Sequence, residues 1–303
     1  MTELRETFPM DASRILSEQE VNSLHQHVIQ TLQIERPEIM DAHTSEVDTL
    51  IGNGIGILQK FEKATDKKHP DIHTDTDIVY IDSGPGPYSY NMLEPGKTDL
   101  DDTVYHKWQW SRKMDRARIR AAYVLTAMIT AKRIQEQTGE VKPTKNLTEE
   151  DFEKYGPYLM YASVDWQMSH VKHARDLSRE KGAFKIPDSK IISYQDLTTR
   201  EGEQKPIIHT EDQIEGLHFP PFEEGHPPRR IVMVSQPAHL IKIMHILGKY
   251  PDSIPQGTVL QLFPVSTPKL GVTEFAKAEL IGTIVSIYKK GRASLTPYAN
   301  YEI

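Results

Sequence analysis

Residues 229–247 read RRIVMVSQPAHLIKIMHIL. Four apolar residues, Ile231 to Val234, stop at Ser235-Gln236-Pro237-Ala238-His239, and apolar residues then return at helical spacing. A short β-branched run without alternation is the pattern of a strand buried on both faces. Pro237 suits the first turn of the helix that follows, because that turn needs no amide donor. Strand, polar turn and helix in succession make the repeating piece of an α/β sheet.

The same piece recurs. TDIVYID, PYLMYAS, SKIISY and GTVLQLFPV are four further short apolar runs, so strands are expected to begin near residues 77, 157, 189, 230 and 258. RKMDRARIRAAYVLTAMITAKRIQEQTG, rich in Ala, Arg, Met and Leu, predicts a long helix capped by Gly139. VDWQMSHVKHARDLSREKG, HTEDQIEGL and VTEFAKAELIGTIVSIY predict three more helices. The pattern predicts a doubly wound, mainly parallel five-stranded sheet with helices on both faces. Ahead of it, Ser17 and Glu20 form a capping-box signature before VNSLHQHVIQTLQI. Residues 1–65 therefore read as an N-terminal helical extension packed on the core, and residues 66–303 as a Rossmann-type α/β domain. Segment 195–229 carries five prolines and many charges and reads as an excursion over the sheet's edge.

Composition narrows the partners. A net charge of −7 and a pI near 6.0 argue against a nucleic-acid binder. No apolar run reaches the roughly 20 residues that span a bilayer. The first twenty residues are acidic without an apolar stretch, so a soluble cytoplasmic protein is expected. Zero cysteines exclude disulfides, thiolate metal sites and a cysteine nucleophile.

In open α/β sheets, ligands bind beyond the carboxyl ends of the strands. That rule singles out Ser235, Gln236 and His239 after the fourth strand, with Ser235 also able to cap the helix that follows. It also singles out the loop Ser83-Gly84-Pro85-Gly86 after the first strand, whose glycines would let backbone amides approach an anion. The loop is neither a Walker A sequence nor a dinucleotide fingerprint. Ser163 ends the second strand, and Thr210 opens a later helix. Arg112, Arg116 and Arg120 share one helix face and could meet phosphate, or simply form a salt-bridged surface with Asp115. His69, Asp71, His73, Asp75 and Asp77 would share one side of an extended chain, as a metal site might. They precede the first strand, on the side opposite the expected pocket, and read as a lead-in loop. No metal site is expected.

The element RRIVMVSQPAHLIKIMHIL resembles the strand–Ser/Asp–x–x–His–x–x–Arg–helix unit of the bacterial SanA, ElyC and YdcF proteins. DIVYIDSGPGP, KIISYQDLTTR with IIHTEDQIEGL, and LQLFPVSTP are similar to that family's other strand-end segments, over roughly residues 75–270. Lys242 stands where the family has its arginine, and the glycine loop here contains Pro85. The resemblance implies a doubly wound sheet with a pocket at its carboxyl edge. For soluble relatives it implies S-adenosylmethionine as a candidate ligand.

Residues and resemblance together predict a YdcF-like enzyme, a transferase or hydrolase acting on a nucleotide-like or phosphorylated small molecule. His239 would be the acid or base and Ser235 its catalytic neighbour. Ser83, Gly84, Gly86, Ser163, Thr210, Gln236, Arg112 and Lys242 would hold the ligand. A non-catalytic module binding S-adenosylmethionine or a nucleotide is the alternative. The N-terminal helices leave a homo-oligomer open.

Overall fold

A computed structural model describes residues 16–65, 71–82, 109–162, 175–194, 196–198, 204–206, 210–222, 226–266 and 272–303. Helices α1 (Glu18–Glu35) and α2 (Pro37–Thr65) lead into β1 (Thr76–Asp82). Then come α3 (Gln109–Thr138), α4 (Glu149–Tyr155), β2 (Tyr158–Ala162), β3 (Ile191–Tyr194), β4 (Asp196–Thr198) and β5 (Gln204–Pro206). The chain closes with α5 (Thr210–Glu215), β6 (Arg230–Ser235), α6 (Pro237–Lys249), β7 (Val259–Pro264) and α7 (Val272–Tyr288).

Five strands form one parallel sheet in the order β3-β2-β1-β6-β7. The five expected strands are all present, within two residues of their predicted starts. From β1 the chain winds outward through β2 to β3, then returns to β1's other side with β6 and winds the opposite way to β7. The reversal makes the carboxyl ends of β1 and β6, where Ile81 pairs with Val234, the switch point of the sheet.

Alternation along the strands divides the interior in two. Ile78, Tyr80, Met160, Ile231, Met233, Leu260 and Leu262 face a core shared with α1, α2, α6 and α7. Val79, Ile81, Leu159, Tyr161, Val232, Val234 and Phe263 face a second core built with α3 and α4. Because both faces are covered, the strands read as continuous apolar runs. The apolar side of α1, Leu24, Val28 and Leu32, is fully buried within the chain.

Two predicted caps are present. Ser17 and Glu20 make a reciprocal capping box, and Gly139, at φ 76°, closes α3. One feature was not predicted: within the excursion 195–229, β4 and β5 form a small antiparallel pair. The tail returns to the sheet, with Glu302 N–H donating to Leu260 O and Leu262 N–H to Glu302 O. Those bonds occupy the otherwise free edge of β7.

Glycines show how tightly the tail sits. A Cβ added at Gly248 in α6 would lie 2.2 Å from Thr296 O, whereas one at Gly52 in α2 would meet nothing within 4 Å. Gly248→Ala is therefore expected to lower the melting temperature by a few degrees, from overpacking of about 1–3 kcal/mol. Gly52→Ala is expected to raise it by about 2 °C, from a helix-propensity gain near 1 kcal/mol. Thermal melts of the two variants check both signs; an unshifted Gly248→Ala would mean the tail is not docked on α6.

Candidate functional site

A buried cluster of charged groups sits at the switch point between β1 and β6. Asp82 is the last residue of β1 and has no solvent exposure. Its Oδ2 lies 2.8 Å from His239 Nε2, accepts a hydrogen bond from Ser235 Oγ at 3.1 Å, and lies 3.7 Å from Arg118 Nη1. Arg118, on α3 and fully buried, also donates to the Asp82 carbonyl at 2.6 Å. The other side of the His239 ring faces α7, where Nδ1 lies 2.9 Å from Glu279 Oε1. The two form a buried ion pair. Thr210 Oγ1, at the start of α5, is 3.4 Å from His239 Nε2.

Two carboxylates thus face two cations, and each element contributes for a reason. β1 and β6 end here because the sheet does. His239 occupies the first turn of α6, whose positive end disfavours a cation but favours Asp82 beside it. Burial alone would push the His239 ring below its usual range. The Glu279 and Asp82 carboxylates outweigh that and raise it to about 9, so the ring is an imidazolium at neutral pH. Burial would likewise raise Glu279, but the His239, Lys242 and Arg118 charges hold it well below the usual carboxylate range.

Of the residues singled out from the sequence, Ser235, Gln236, Thr210 and His239 meet in this one place, with Lys242 one turn along α6. Ser235 does not cap α6. The N-cap is Gln236, which makes no side-chain cap bond, and the serine hydroxyl goes to Asp82, a stronger acceptor. Gln236 reaches sideways instead, its Nε2 donating to Met114 O at 3.0 Å and tying α6 to α3. Ser83, Gly84, Gly86 and Ser163 lie outside the described residues, as does the side chain of Arg112 in the first turn of α3.

Three members of the cluster were not singled out. Asp82 obeys the same strand-end rule that found Ser235, so that signal was available. Arg118 and Glu279 sit in apolar helical surroundings, and their pairing exists only in the fold.

Two acceptors here are buried without a hydrogen-bond partner among the described residues, Asp82 Oδ1 and Gln236 Oε1. Buried polar groups are paired in the great majority of cases, so such exceptions call for a physical account.

A cavity of about 310 Å³ lies instead at the amino edge, lined by Asp75, Arg133, Glu136, Lys154, Tyr155 and Arg229 among others. Its charges are largely engaged with one another. Arg133 donates to the carbonyls of Thr74 and Tyr155, Arg229 forks onto Asp77, and Asp75 pairs with Arg230. The lead-in aspartates thus serve arginines, and no group of three potential metal ligands occurs among the described residues. No helix among them is long and apolar enough to cross a membrane. No family model, curated protein or solved structure matches the chain.

The raised His239 predicts a pH dependence. A ring held above its unfolded value near 6.5 contributes stability that is fully present below about pH 6.5 and is lost as pH rises through about 9. Glu279→Gln removes one of the two carboxylates, so the ring should release its proton at lower pH and the alkaline loss should shrink. Denaturant melts between pH 6 and 10, with NMR titration of the His239 ring, read this directly. Superimposable curves for wild type and Glu279→Gln would mean that Glu279 does not hold the proton.

Proposed function

We propose that the protein is an α/β enzyme of YdcF-like kind, a hydrolase or transferase acting on a nucleotide-like or phosphorylated small molecule at the β1/β6 switch point. Asp82 is the group that meets the substrate. The observation that carries the reading is the asymmetry of its carboxylate: Oδ2 receives Ser235 and His239, with the Arg118 charge 3.7 Å away, while Oδ1 is buried with no hydrogen-bond partner among the described residues. Holding one oxygen fixes the carboxylate's orientation. The other oxygen can then accept a hydrogen bond from an attacking hydroxyl or water and orient it.

This arrangement moves the chemistry from His239 to Asp82. An imidazolium with carboxylates on both nitrogens is a poor base and delivers its Nε2 proton towards Asp82, not to a substrate. His239 is accordingly a positioning cation. The strand-end likeness to the YdcF proteins and the placement at the switch point support the reading. One observation favours the non-catalytic alternative: Ser235 donates to Asp82 and not to His239, so these two residues do not form a nucleophile–base pair.

The test begins with a thermal-shift panel of nucleotides, sugar nucleotides, isoprenoid phosphates and S-adenosylmethionine. A ligand at about 100 times its Kd stabilises the native state by roughly 2.7 kcal/mol. For the compound that shifts most, Asp82→Asn is expected to cut turnover by about 10²-fold or more. Binding without turnover in the wild type would establish the module instead. A panel in which no shift depends on Asp82 would overturn both readings.

A further inference from the structure

We infer that the part of the ligand seated between the ends of β1 and β6 is a neutral, hydroxyl-bearing group such as a sugar, with any phosphate lying elsewhere. The inference rests on the ligand site proposed above and deepens it. Two acceptors await donors there, Asp82 Oδ1 and Gln236 Oε1, both on residues with no solvent exposure and both lacking a hydrogen-bond partner among the described residues. They belong to neighbouring strand ends, since Ser235, the residue before Gln236, bonds Asp82 directly.

Three nearby side-chain donors are already directed elsewhere, and the Arg118 guanidinium is ion-paired with Asp82. The Ser235 hydroxyl is on Asp82, and Gln236 Nε2 is on Met114 O. His239 Nε2 is shared between Asp82 and Thr210. A phosphate placed here would meet a carboxylate and an amide oxygen, which repel it. An ammonium group would suit those two oxygens but would lie beside the Asp82-bound cations His239 and Arg118. A neutral group that donates hydrogen bonds satisfies both acceptors and opposes neither charge.

Asp82→Asn separates these cases because it inverts the polarity of one atom. The two donors on Oδ2, Ser235 Oγ and His239 Nε2, keep the amide oxygen on their side, so the amide nitrogen occupies the Oδ1 position and an acceptor becomes a donor. Calorimetric titration of wild type and variant with adenosine, 2′,3′-dideoxyadenosine, uridine diphosphoglucose, spermidine and pyrophosphate provides the readout. The expected result is that a hydroxyl-bearing probe binds the wild type, that its matched deoxy form binds about tenfold or more weakly, and that Asp82→Asn weakens the former to a similar extent.

Pyrophosphate binding that tightens in Asp82→Asn would overturn the inference while leaving the site itself standing, and so would spermidine as the favoured probe. If no probe binds the wild type, or none responds to Asp82→Asn, the site proposal fails and the inference fails with it. The comparison of adenosine with its dideoxy form uses the wild type alone, so it remains decisive even if the variant folds poorly.

Discussion

Asp82 Oδ2 is the point on which the centre of the molecule converges. Through it β1 meets β6 by way of Ser235, α6 by way of His239 and α3 by way of Arg118, and His239 carries the contact on to Glu279 of α7. Helices from both faces of the sheet are therefore tied to one carboxylate at the edge where the strands end. Removing one partner of a buried ion pair typically destabilises by roughly 3–5 kcal/mol, because the remaining charge is left uncompensated. The four charges consequently stand or fall as a group.

An apolar substitute for the whole group could be as stable or more so, since desolvating charges often outweighs their attraction. Stability alone is thus a weak reason for this cluster. Its asymmetry points another way. A group selected only to lock elements together would gain by satisfying both oxygens of Asp82, yet two donors share one oxygen and the other is left without a hydrogen bond among the described residues. Gln236 repeats the pattern, with its amide nitrogen used and its oxygen unmatched.

What the sequence made legible follows from what periodicity can carry. All five strands of the sheet were readable because burial on both faces leaves uninterrupted apolar runs, and the rule about carboxyl ends then gathered Ser235, Gln236 and His239 without coordinates. The β4–β5 pair was not readable, because three-residue strands in a polar, proline-rich segment show no alternation. Among the arginines of α3, spacing drew attention to Arg112, Arg116 and Arg120. Arg118, between Ala117 and Ile119, is fully buried, and nothing local announces a partner as distant as Asp82. Glu279 is hidden for the same reason, since a carboxylate in an apolar helix is explained only by the cation that the fold brings to it.

The two edges of the sheet offer an internal comparison. Both carry arginines and aspartates, and among the described residues a cavity opens at the amino edge. There Arg133 is engaged by backbone carbonyls, Asp77 by the fork of Arg229, and Asp75 by Arg230. That network is matched donor to acceptor and reads as a clamp holding the entrances of β1 and β6. At the carboxyl edge the charges balance but the hydrogen bonds do not, and the mismatch includes acceptors at adjacent strand ends. A cavity shows only that there is room, whereas buried acceptors without donors specify what would fill it. That is why the carboxyl edge is the stronger candidate.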